Sequence, residues 1–168
     1  MADPSLKDGI FDRSVIHLAE HSAENGAVGY ILNKPTEKVV GEILTAPMFE
    51  ALKNLPIYFG GPVGTDQIVF SVYWWDDEGE FRYRLRISAE EAIEMKGQAG
   101  ALVLAHVGHA AWEPQQLEGE LEEQAWVHMA VSEKTLSLGH AQMWTTLLED
   151  LSPYHLLLSL TPLEVNKN

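Results

Sequence analysis

The side chains best suited to moving a proton or holding a metal are seven histidines and 25 carboxylates, and their spacing limits what they can do. His106 and His109 stand three apart, a spacing that shares a face only on a helix. The run "ALVLAHV" that leads into them reads as a strand, on which they point to opposite faces. His17 and His21 do share strand parity, with Glu20 on the other face, but strand rise separates them by about 13 Å, too far to chelate one ion alone. With no cysteine and no H-E-x-x-H, no metal site is expected, and the imidazoles read as partly buried and neutral. Glu118, Glu120, Glu122 and Glu123 lie beyond Pro114 and read as the solvated face of an acidic helix rather than an acid–base pair. Ser14, Ser71, Ser88 and Ser132 have no G-x-S-x-G elbow around them. The corner "GGPVG", Gly60 to Gly64, lacks the lysine of a P-loop and runs into a strand, so it reads as a turn or bulge rather than a phosphate cradle. No cofactor is implied. Glu20, His21 and His109 are the candidates left for acid–base chemistry.

Charge narrows the partners. Eleven Lys and Arg against 25 Asp and Glu give a formal charge of −14, which repels a polyphosphate backbone. Arg82, Arg84 and Arg86, three of the four arginines, form the single basic stripe. Pairing with Asp76, Asp77 and Glu78 at the adjacent turn is one reading of it, and a groove for an anionic or acidic partner is the other. No run of about 18 apolar residues is available to span a bilayer, and "MADPSLKDGIF" has no secretory leader pattern. A cytoplasmic location away from membranes is expected.

A chain of 168 residues with 46% apolar composition is the size of one domain. "SVIHLAEH" and "AVGYIL" read as a hairpin turned at Asn25-Gly26. Two short helices are expected between Pro35 and Asn54, a strand ending at Phe59, and another from about Gln67 to Trp75. "FRYRLRIS" alternates with period two, its arginines opposite Phe81, Tyr83, Leu85 and Ile87. Ser88 with Glu91 marks a helix over about 89–96, ending near Gly97. "ALVLAHV" suits a central strand. Pro114 is placed in the first turn of the acidic helix, seated by Leu117 and Leu121, with Trp112 anchoring the corner. "AWVHMAV" reads as a further strand and "SLGHAQMWTTLLEDL" as a C-terminal helix. Residues 152–168 are a leucine-rich tail broken by two prolines.

Taken together, four ordered blocks resemble the YqgE/AlgH family of small bacterial proteins. "DGIFDRSVIHLAEH" is similar to its D-P-x-F-x-R-S-V segment ending in E-H, "GAVGYILNKP" to G-A-x-G-x-x-x-N-x-P, and "YFGGPV" to its G-G-P corner. "GHAAWEPQQLEGELEEQAWV" is similar to G-Y-A-x-W-x-x-G-Q-L-E-x-E-x-x-x-x-A-W. His109 replaces the usual tyrosine, Gln115 the usual glycine and Gly9 the usual proline. The likeness spans residues 8–127 and loosens beyond Ala130, and the apolar strand that usually precedes the first block has no counterpart here. It implies an α/β (mixed α+β) fold: a single compact domain with a bent or bifurcated mixed sheet, partly barrel-like, surrounded by helices. The family has no established activity, and its frequent label of transcriptional regulator names no mechanism.

Two functions remain open on this reading. The first is a non-enzymatic regulatory or protein-binding domain, its surface formed by Glu20, His21, Asn33, Pro35, Gly60, Gly61, Pro62, His109 and Trp112, positions at strand ends and turns. The second is a small-molecule enzyme such as a hydrolase, with Glu20, His21 or His109 as acid or base near Asn33. Direct nucleic-acid binding is disfavoured, since no helix carries a basic recognition face.

Overall fold

The computed structural model describes residues 1–151. Seven strands form one mixed sheet: β1 (Ile16–Ser22), β2 (Gly26–Ile31), β3 (Pro35–Val39), β4 (Pro56–Phe59), β5 (Val63–Trp75), β6 (Phe81–Ile87) and β7 (Leu102–Trp112). β7 holds the sheet together and is why it forks. It pairs antiparallel with β5, parallel with β4 along 105–107, and antiparallel with β2 along 110–112. Its near-continuous burial matches its apolar run. The mixed sheet, forked at β7, is as the family resemblance implies. Of its three end strands, β1, β3 and β6, the first and last converge without pairing, so it is not a closed barrel. At that gap the His17 and Tyr83 rings meet edge to face at 4.5 Å, and the Tyr83 hydroxyl donates to the Ala19 carbonyl at 3.2 Å.

Helices cover both faces. α1 (Val40–Ile43), a short 3-10 helix (Pro47–Leu52) and α2 (Ala89–Lys96) close one core around Val40, Leu52, Phe70, Val72, Ala92 and Val103. The Ser88 hydroxyl accepts from the Glu91 amide and so caps α2, as the sequence signature predicts. α5 (His140–Leu151) closes the other, laying Met143, Trp144, Leu147 and Leu148 against Tyr73 and Leu104. α3 (Gln116–Glu122) seats a third cluster with Leu117 against Trp112 and Trp126, and α4 (Glu133–Ser137) follows it. Among the described residues no helix is long and apolar enough to cross a membrane.

Several elements differ from the sequence reading. Residues 35–39 form β3 rather than helix, because Pro35 and Val39 pair with β4. β5 begins at Val63, four residues early, by pairing with His109. "AWVHMAV" is not a strand: its pairing partner is only the first residues of the chain, through an Ala2–Trp126 bridge and the mutual Met1–Val127 bonds. α3 starts at Gln116, since Gln115 takes a left-handed φ of 65° that no helical first turn permits. The tail over 152–168 lies outside the described residues.

Candidate functional site

The glycine corner is a chain crossing. After β4, Gly60 and Gly61 pass across β7 before Val63 pairs with His109 on β5's side. A Cβ on Gly60 would sit 2.2 Å from the Gly108 carbonyl oxygen, and one on Gly61 2.2 Å from the His109 carbonyl carbon. Gly108 completes the contact with φ +70°. The Gly60 amide is spent on the Val107 carbonyl, and both glycines lie hard against the β7 backbone, which leaves no open cradle for an anion.

Gly108 also changes where the histidines point. Its left-handed φ breaks the alternation of β7, and the rings of both His106 and His109 reach Tyr30, at 5.4 and 6.2 Å between centroids. The expectation of opposite faces fails for that reason. A bulge does the reverse in β1. Leu18 pairs with Gly29 and Glu20 with Val28, leaving Ala19 as the extra residue. His17 is therefore buried and His21 exposed, despite the even spacing that gave them one face.

The acidic helix is not a uniformly solvated face. Glu120 turns inward, and its carboxylate accepts from the indole N–H of Trp112 at 2.8 Å, the indole N–H of Trp126 at 2.6 Å and the Gln116 amide at 2.8 Å. Phe11 packs on both indoles. The W-x-x-x-Q-L-E-x-E-x-x-x-x-A-W spacing is thus one scaffold clamp. Glu120→Ala strands two buried indole N–H donors, each worth about 1–3 kcal/mol. The urea midpoint is expected to fall by an amount equivalent to about 3 kcal/mol, with Glu120→Gln losing less.

The proposed surface residues separate in the same way. Asn33 accepts from the Val15 amide at 2.8 Å and donates to the Arg13 carbonyl at 2.9 Å, tying the segment before β1 to the end of β2. Gly60, Gly61 and Trp112 are buried, whereas Glu20, His21, Pro35 and Pro62 are exposed. His21 Nε2 lies 2.7 Å from Glu118 Oε1 with both side chains well exposed. The Glu118 carboxyl is held below its ordinary value by its own backbone amide and then by His21. His109 is half-buried, and its pKa is pushed down by burial and by the Arg86 charge. Arg82 donates to Asp76 at 2.7 Å, Arg84 pairs with Glu91 over the Trp74 ring, and the neighbouring Tyr30 raises the Arg86 pKa above its ordinary value. Each arginine of the stripe therefore has a partner within the fold.

An apolar concave feature lies elsewhere, at the gap between β1 and β6. A cavity of about 380 Å³ opens there, walled by Ile16 to Leu18, Tyr73, Phe81, Tyr83, the clamp of Trp112 and Trp126, and the segment between Trp126 and α4. His17 and Tyr73 are its buried polar wall. His17 Nδ1 and the Tyr73 hydroxyl are themselves enclosed by protein rather than open to the cavity. Like Ser14 Oγ, Trp75 Nε1 and His106 Nε2, they have no close hydrogen-bond partner among the described residues, Ser71 being the polar group nearest the Tyr73 hydroxyl's side. Burial drives the His17 imidazole down to about 4 and the Tyr73 phenol far above its usual range. Deeper still, His106 is fully enclosed, 3.4 Å from the Ser71 hydroxyl, with its pKa lowered to about 3, chiefly by burial. None of the sequence candidates except Trp112 lines this cavity. The signal that could have found it is a histidine inside an apolar run, which is equally the signature of a core residue.

The fold matches known relatives. The family model described as AlgH-like matches residues 1–154, and the chain belongs to that family. A UPF0301 protein of Albidiferax ferrireducens is 32% identical over 155 residues, covering 81% of this chain and 77% of the relative. One from Actinobacillus pleuropneumoniae is 30% identical over 160 residues, covering 86% and 84%. The crystal structure of protein DIP2367 from Corynebacterium diphtheriae superposes with a TM-score of 0.73 at 22% identity, over 96% of this chain and 89% of that one. The solution structure of AlgH from Pseudomonas aeruginosa gives 0.67 at 24% identity, over 96% and 91%. These two likenesses establish the fold.

Proposed function

We propose that the protein is a non-enzymatic binding domain, regulatory rather than catalytic, whose small-molecule site is the cavity between β1 and β6. The observation that carries this is a separation. Among the described residues the one imidazole–carboxylate contact short enough for acid–base work, His21 with Glu118, is exposed and outside the cavity, while the cavity wall contains no Asp, Glu, Lys, Arg, Ser or Cys, and its Thr135 hydroxyl and its His17 and His128 imidazoles have no carboxylate beside them there. A hydrolase needs nucleophile, base and charge stabilisation converging on one concave place. A largely apolar pocket with a few buried polar groups is what ligand retention needs, and 380 Å³ lies in the range of about 300–1,000 Å³ typical of small-molecule sites. Any regulatory output passes to a protein partner, through the exposed positions Glu20, His21, Pro35 and Pro62, because a charge of −14 with its arginines engaged opposes DNA.

The test is titration of the full chain with N-phenyl-1-naphthylamine, a neutral dye that fluoresces on entering an apolar site. One saturable site per chain is expected, lost in Val131→Trp, which fills the cavity from its wall. A non-saturating signal, or one that Val131→Trp leaves unchanged, rejects the reading.

A further inference from the structure

Resting on that reading, the geometry points to Tyr83 as the gate of the cavity, a ring that closes the seam between β1 and β6 and must turn outward for an apolar ligand to enter or leave. The backbone keeps the seam unpaired. Its two strands converge without a ladder, and each carries an extra residue: Ala19 in β1, between the Leu18–Gly29 and Glu20–Val28 pairs, and Arg86 in β6, between the Leu85–Ser71 and Ile87–Phe70 pairs. Arg86 takes a φ of 55°, uncommon for a residue with a Cβ. A bulge on an edge strand breaks its row of amides and twists it away from a neighbour, so neither edge can zip straight onto the other.

A side chain does the closing instead. The Tyr83 hydroxyl donates across the seam to the carbonyl of Ala19, the bulge residue, at 3.2 Å, and the Tyr83 ring meets His17 edge to face at 4.5 Å. One neutral hydrogen bond and one ring contact can be broken without disturbing any strand pairing. Exposure places the mouth at the same point. Of the large apolar side chains on the cavity wall, Leu18 and Tyr83 are the two well exposed, at 42% and 40%, and they stand on the two converging strands. The others are buried or half-buried. The segment leading to α4 also shows two exposed wall residues, His128 and Ala130, and is the rival entrance that a test must separate.

The experiment follows N-phenyl-1-naphthylamine entering and leaving the full chain by stopped-flow fluorescence. Tyr83→Phe keeps the ring and loses the bond to Ala19. Both rate constants are expected to rise about fivefold, the scale of one neutral hydrogen bond, while Kd stays within about twofold. A gate speeds both directions equally, whereas a residue that only lines the site changes Kd, chiefly through dissociation. The chain has no cysteine, so a single introduced thiol marks one place on the wall. Attaching a polyethylene-glycol maleimide to Leu18→Cys is expected to slow dye entry about tenfold more than attaching it to Ala130→Cys. Saturable binding with wild-type rates in Tyr83→Phe, or a change confined to Kd and dissociation, overturns the gate and leaves the binding-domain reading standing. Entry slowed equally from the two thiols, or more from Ala130→Cys, overturns it as well. Dye that never binds the wild-type chain removes both readings. The labelling comparison decides the matter even if Tyr83→Phe fails to fold.

Discussion

Gly108→Ala is expected to lose more than about 4 kcal/mol of folding stability, enough to leave a domain of ordinary stability largely unfolded. Two effects add. The φ of +70° places Gly108 in the left-handed region, where any Cβ costs about 1–2 kcal/mol. That Cβ would also lie 2.1 Å from the Gly61 carbonyl oxygen and 3.0 Å from that of Val63, and neither is the tip of a flexible side chain. Relief requires prising apart the crossing of the 60–61 segment over β7, the strand on which β2, β4 and β5 all depend. Gly119→Ala is the control. Its site on α3 is open, with nothing within 4 Å of the added Cβ, so helix propensity predicts a gain of up to about 1 kcal/mol. Urea unfolding followed by tryptophan emission measures both. A Gly108→Ala chain within about 1 kcal/mol of wild type would show that the crossing can relax, and would reopen the corner as a candidate ligand loop.

That crossing marks the border of what the sequence makes legible. The hairpin at Asn25-Gly26, the Ser88-capped α2, the central β7 and the apolar stripe of α5 follow from patterns spanning a few neighbours, and the structure has them close to where those patterns put them. Side-chain direction is less secure, because the period-two rule counts residues and a bulge adds one. At Ala19 the extra residue sends His17 inward and His21 outward. At Gly108 a left-handed φ, with no residue added to β7, brings His106 and His109 to the same tyrosine. Long-range partners were invisible for another reason. Nothing local to Glu120 distinguishes it from Glu122, and only the fold brings Trp112 and Trp126 to it. The cavity belongs to this second class, since its walls come from β1, β5, β6, α3 and the segment before α4. The blocks that betray the family are thus largely scaffold: Asn33, Gly60, Gly61, Trp112 and Glu120 hold the wall in place.

Acid is expected to unfold the protein through its interior before its surface carboxylates contribute. His17 and His106 have folded pKa values of about 4 and about 3, both below the 6.5 of an exposed imidazole. As pH falls from 6.5, the unfolded chain takes up protons that the folded one refuses. The stability these rings provide as neutral groups is thus complete above 6.5 and lost progressively toward pH 4 and 3. With both rings charged only in the unfolded state, the interval from pH 6 to 5 is expected to remove roughly 2 kcal/mol. Asp76, Glu90 and Glu118, whose carboxyls are lowered, act in the same direction only nearer pH 4 and below. Urea midpoints at pH 7, 6, 5 and 4.5 measure the slope, and His17→Phe should remove about half of it between pH 6 and 5. A midpoint flat from pH 7 to 4.5 would mean that water or rearrangement solvates these rings. The same sign bears on function: at neutral pH neither buried imidazole holds a proton to give. Of the two, only His17 lines the cavity, and it is therefore a neutral group of that wall at neutral pH.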